Sequence, residues 1–82
     1  MNHVVYIIYS DLIMKYYARQ TDSLSRRLFE HNSGKGKYTS TGAPWRLIHW
    51  FECANRIEAV RLEKTIKSRG IKRYLQDNNL LN

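Results

Sequence analysis

Two closely spaced runs of β-branched and aromatic residues, a third after a glycine-rich interruption, and two amphipathic stretches with capping signals predict an α/β (α+β) chain. The order is strand, strand, helix, strand, helix. Its 82 residues suffice for one core and not for two, so a single domain over residues 1–82 is expected. With 43% hydrophobic residues, 26% charged and one proline, the composition is that of a folded chain, not of a disordered segment. Fourteen Lys and Arg against seven Asp and Glu leave a net charge of +7, which attracts polyanions and makes nucleic acid the first partner to consider.

Val4 to Tyr9 is unbroken strand chemistry and reads as a central strand, with Val4, Tyr6 and Ile8 on one face. Ser10 and Asp11 signal a turn, and Lys15 to Gln20 resumes the pattern, so the two runs pair as an antiparallel hairpin. By the period of two, Tyr17 and Arg19 point together and Tyr16, Ala18 and Gln20 point oppositely. Thr21 or Asp22 is a plausible N-cap for a helix reaching about Asn32, with Ser33-Gly34 as its stop. On that helix Leu24, Arg27, Leu28 and His31 fall within an arc of about 100°.

Residues 33–44 hold three of the four glycines and the only proline, too punctuated for a regular element, and read as a long basic loop. Trp45 to Cys53 is the third strand, with Leu47, His49 and Phe51 expected on one face and Ile48, Trp50 and Glu52 on the other. Asn55 and Glu58 are spaced as a capping box and open a second helix through about Ser68, ahead of Gly70. Ala59, Leu62, Glu63 and Ile66 form its inward stripe, and Ile71 to Leu75 adds a last helical turn or two.

The one cysteine, Cys53, cannot form an internal disulfide, and no Cys or His stands at metal-ligand spacing from it, so it reads as a small core residue in a reducing compartment. The apolar stretch near the start is too short for a signal core or a membrane span, so no membrane association is expected and the localisation expected is cytoplasmic.

Tyr6 and Tyr17 on the hairpin, Arg27 and His31 on the first helix and Glu63 on the second stand where apolar residues would be cheaper to bury. An inward arginine and an inward glutamate imply either mutual pairing or a polar cleft. Taken singly, each has a plainer account: packing for the tyrosines, a helix C-terminus for His31, and an ion pair with Lys67 for Glu63.

Together their order resembles the GIY-YIG nuclease domain in its small, single-domain form (UPF0213-like). Val4-Val5-Tyr6 resembles the first motif half and Tyr17-Ala18-Arg19 the second, and Leu24 to Asn32 is similar to the family's first helix, whose second arginine is Arg27. Gly34-Lys35-Gly36-Lys37, Thr39 and Gly42-Ala43-Pro44-Trp45 are similar to the basic loop of small members, and Glu58 to Lys64 resembles the helix carrying the metal-binding glutamate, here Glu63. The resemblance covers about residues 3 to 75. It implies a three-stranded antiparallel sheet flanked by helices, and hydrolysis of a DNA phosphodiester with one divalent cation per site, Mg2+ or Mn2+.

By the same resemblance Glu63 would hold the cation, Arg27 would grip the scissile phosphate, Tyr6 and Tyr17 would orient or deprotonate the attacking water, and His31 would relay a proton. A phenol with a reference pKa of about 10 serves as a base at neutral pH only where positive charge favours its phenolate. Arg19, Lys35, Lys37, Lys64 and Lys67 are the expected phosphate contacts, with little base specificity and a monomer or weak homodimer as the working form. Arg19 stands where the second motif half ends in glycine, and Gln20 where excision-repair members carry lysine. A long cation on the face of Tyr17 either blocks DNA or supplies a second phosphate contact, so the alternative reading is a catalytically impaired nucleic-acid-binding module. A third reading is a small structural or interaction domain.

Overall fold

A computed structural model of the chain describes residues 3–34 and 39–81. β1 (His3–Ser10) pairs antiparallel with β2 (Lys15–Thr21) on one side and β3 (Trp45–Cys53) on the other, so the sheet order is β2-β1-β3. The central place expected for the first strand is borne out: Val5, Tyr6, Ile7 and Ile8 are all fully buried. Helices α1 (Leu24–Asn32), α2 (Arg56–Arg69) and α3 (Ile71–Asp77) complete the fold, and among the described residues no helix is long and apolar enough to cross a membrane.

The sheet is covered on both faces, which explains the unbroken apolar run of β1. Val5, Ile7 and Ala18 turn toward α2 and α3, where they pack with Ala59, Ile66, Leu75 and the buried Cys53. Tyr6 and Ile8 turn the other way, packing with Trp45 and, on α1, Leu24 and Leu28. The stripes expected on both helices are therefore the ones that meet the sheet.

Simple alternation fails in β3. Ile7 pairs with His49 and Ile8 with Leu47, so Ile48 is an extra residue, a β-bulge. The insertion turns Leu47 to the α1 face, whereas Ile48 and Phe51 pack with the α2/α3 core, contrary to the grouping of Leu47 with His49 and Phe51. At the start of α1 the N-cap is Ser23, without a side-chain cap, and not Thr21 or Asp22. Thr21 Oγ1 instead accepts a hydrogen bond from the Ser23 N–H at 3.0 Å, a local turn that ends β2.

Asn55 caps α2 by accepting from the Glu58 N–H at 2.9 Å, but the returning Glu58 carboxylate takes the N–H of Ala54, not that of Asn55. Gly70, at a φ of 96°, then turns the chain between α2 and α3 in a conformation that favours glycine.

The long loop is not wholly irregular. Thr39–Gly42 is a short 3-10 turn with Thr39 and Gly42 buried. A Cβ at Gly42 would lie 2.5 Å from the Trp45 ring, so only glycine lets the turn approach that indole. Ser10 Oγ anchors the turn by donating to the Gly42 carbonyl at 2.6 Å.

Candidate active site

The α1 face of the sheet carries a polar cluster. Antiparallel register sets Tyr6 opposite Arg19 and Ile8 opposite Tyr17, and alternation turns Tyr6, Tyr17 and Arg19 to the same face. On α1, Arg27 and His31 are one turn apart and meet them from above. Tyr6, fully buried, lies 2.7 Å from His31 Nε2, and His31, 2% exposed, places Nδ1 2.8 Å from Thr39 Oγ1. The Arg27 guanidinium stands close enough to the Tyr6 hydroxyl for each to shift the other's pKa, and it pairs with Glu30 at 2.8 Å.

The direction of these bonds follows from their chemistry. A phenol that keeps its proton has one O–H to give, and the acceptor facing it at 2.7 Å is His31 Nε2, so the Tyr6 O–H donates there. Burial pushes the Tyr6 phenol up from its ordinary pKa, against the opposing pull of Arg27, which keeps that proton in place. Burial first, and the charge of Arg27 second, push the His31 imidazole down, so the ring is neutral and donates from Nδ1 to Thr39. The result is a one-way chain, Tyr6 to His31 to Thr39, with Arg27 beside the phenol. Tyr6 first raises the pKa of Arg27 against partial burial, with Glu30 adding to the effect. The exposed part of Arg27 faces solvent while its inner side is held from two directions.

Tyr17 is half-buried, its ring edge-on to His31 at 5.6 Å and tilted against Trp45 at 6.1 Å. Trp45 in turn donates from Nε1 to the Thr39 carbonyl at 2.7 Å, and Asn32 at the end of α1 bonds both the N–H and the carbonyl of Trp45. Among the described residues no buried side-chain polar atom lacks a hydrogen-bond partner.

Of the residues singled out from sequence, the structure brings together Tyr6, Tyr17, Arg27, His31 and Arg19. Glu63 stands apart from them on α2, in the layer against the other sheet face, where its carboxylate pairs with Lys67 Nζ at 2.8 Å. It shares a helical stripe with Arg56, two turns earlier and about 10 Å away along the axis. Arg56 and Arg27 line one open groove with Arg19, so the Glu63 stripe leads toward the site along α2. Lys64 is exposed on the outside of α2 beside Ile57 and Arg61, and Lys35 and Lys37 lie outside the described residues.

A family model described as the GIY-YIG catalytic domain matches residues 2–75. The chain belongs to the GIY-YIG family, a family of nucleases. A UPF0213 protein of Halalkalibacterium halodurans is 38% identical over 68 residues, spanning 82% of this chain and 71% of that protein. Another, from Halobacterium salinarum, is 41% identical over 68 residues, 82% of this chain and 86% of its own. The solution NMR structure of a UPF0213 protein from Bacillus halodurans superposes with a TM-score of 0.60 at 34% identity, covering 98% of this chain and 85% of that one. The GIY-YIG resemblance and the three-stranded antiparallel sheet, with three helices among the described residues, are thus shown.

GIY-YIG nucleases generally depend on a divalent cation. Glu63 offers one carboxylate, and among the described residues no group of three or more His, Cys, Asp or Glu converges to enclose an ion. That donor set fits a cation such as Mg2+, which keeps several waters and is commonly held by one or two carboxylates and substrate phosphate.

Sequence reading missed Thr39, Trp45 and Asn32 as supports of the site. Thr39 and Trp45 were matched to the family's basic loop but given no role in the site, and only the 3-10 turn brings Thr39 under His31. Arg56 was also missed, although its spacing of two helical turns from Glu63 was visible.

Proposed function

We propose that this chain is a metal-dependent DNA endonuclease that nicks phosphodiester bonds with low sequence specificity. The observation that carries it is Arg27, a half-buried guanidinium that stands against the buried Tyr6–His31–Thr39 chain and lines an open groove with Arg19. Phosphoryl transfer needs positioning and charge neutralisation more than covalent chemistry, and a pre-oriented guanidinium supplies both.

Arg27 holds the scissile phosphate by charge-assisted hydrogen bonds and stabilises the negative charge that grows on it. Tyr17, only half-buried and edge-on to His31, is the tyrosine that reaches the attacking water. Tyr6 is fully buried; it is a positioning residue that stands against Arg27 and keeps its own proton, donating it in a hydrogen bond to His31. Glu63, released from Lys67, would hold a cation on the substrate strand where that strand reaches α2, and the cation would supply positive charge to the phosphate there.

Conversion of supercoiled plasmid to open circles in Mg2+ tests the reading. Native protein is expected to nick, chelator to stop it, and Glu63→Gln to lower the rate by at least about a hundredfold, the scale of losing a main electrostatic group. Undiminished nicking by Glu63→Gln removes the glutamate from the site. Salt-sensitive DNA binding without nicking by the native chain favours the noncatalytic binding module instead.

A further inference from the structure

Both β2 and β3 run antiparallel to β1, so both end beside its start. The helices that follow them therefore begin at that same end, α1 on one sheet face and α2 on the other. Between these two starts lies an open groove of about 440 Å³ whose wall includes His3, Arg19, Asp22, Arg26, Arg27 and Arg56. Arg19 and its neighbour Gln20 point to opposite faces of an edge strand, yet both line the groove. The groove therefore wraps over the β2 edge, from the α1 layer to the α2 layer.

Four guanidiniums share this concavity with one carboxylate. Asp22 is taken by Arg26 at 3.2 Å in an exposed pair, and Arg27 is paired with Glu30 beside Tyr6. The side chains of Arg19 and Arg56 form no hydrogen bond or ion pair with another described residue. Guanidiniums crowded into a groove repel one another unless an anion answers them, and their planar fork matches phosphate oxygens.

We propose that this groove is a second phosphate site, in which Arg19, Arg26 and Arg56 hold the DNA backbone phosphate adjacent to the one gripped by Arg27. The strand to be cut then crosses the β2 edge from the α1 layer toward α2 and its Glu63. Arg19, in the place of the motif glycine, is a contact to the substrate and not an obstruction. The proposal rests on the reading of Arg27 as the ligand of the scissile phosphate.

Binding of a fluorescent DNA duplex in chelator, followed by anisotropy from about 50 to about 200 mM salt, tests it without requiring cleavage. Arg19→Gln and Arg56→Gln are each expected to weaken binding several-fold and to lower the salt slope by about one. Arg46→Gln, at the opposite end of the sheet and paired with Asp11, is expected to keep nearly the native slope. In a parallel arm, inorganic pyrophosphate is titrated against the native chain and the arginine side-chain N–H resonances are followed by NMR. Those of Arg19, Arg26 and Arg56 are expected to move before those of Arg46 and Arg69.

Groove variants that lose no more affinity than Arg46→Gln, or arginine resonances that all shift alike, overturn the second site. A chain that shows the groove losses yet never nicks plasmid leaves the groove standing and defeats the nuclease reading. A chain that nicks normally while the groove variants bind as native does the reverse.

Discussion

On the α2/α3 side of the sheet, β1 sends Val5 and Ile7 into Ala59, Ile66 and Leu75; on the α1 side the same strand sends Tyr6 to His31 and Thr39. The first contact set is apolar and non-directional, so it tolerates repacking as long as volume is kept. The second is a chain of directional bonds in which each member fixes the next, so losing one strands its neighbours. The strand at the centre of this sheet thus divides its roles by alternation: Val5 and Ile7 serve one apolar core, while on the other face Ile8 packs and Tyr6 bonds His31 beside Arg27.

Three substitutions sharpen that division. Ile7→Ala, in the fully buried apolar face, is expected to cost about 2–5 kcal/mol in chemical denaturation, the largest effect on stability. A loss below about 1 kcal/mol would show that face to be loosely packed. Tyr6→Phe keeps the ring and removes the hydroxyl, leaving His31 Nε2 without its partner and Arg27 without the phenol oxygen beside it. It is expected to cost about 1–3 kcal/mol and to lower nicking much more than Ile7→Ala does at a temperature where both are folded. Equal losses of activity in the two variants would break the division.

The smallest effect is in the pH dependence of stability. His31 has its pKa depressed in the folded chain, so below its ordinary value of 6.5 the unfolded chain takes up a proton that the folded chain refuses. Its contribution is complete above pH 6.5 and is lost as pH falls from there toward the lower folded value. Unfolding midpoints measured downward from neutral pH are expected to fall more steeply in the native chain than in His31→Gln. Parallel curves would show that His31 is free to protonate where it sits.

Much of this was legible in the sequence because period carried it. The unbroken run Val4 to Tyr9 read as a central strand covered on at least one face, and alternation placed Arg19 on the face of Tyr17; the register then adds Tyr6 to that face. What period cannot carry is an inserted residue. The bulge at Ile48 reverses Leu47 relative to Phe51, and it depends on the partner strand, not on β3 itself. Thr39 was hidden for a similar reason, since its value lies in a tertiary turn that Gly42 permits by close approach to Trp45. Glu63 was correctly read as facing inward, but a stripe does not say toward which layer, and α2 lies across the sheet from Arg27.

The central claim is that Arg27, oriented by a buried tyrosine and histidine, acts on a DNA phosphate. Plasmid nicking by Arg27→Ala beside the native chain, with duplex binding measured on the same samples, tests it most directly. The account predicts a rate lower by about a hundredfold or more with affinity changed only several-fold, the pattern of an interaction made chiefly in the transition state. Nicking by Arg27→Ala at the native rate would contradict it.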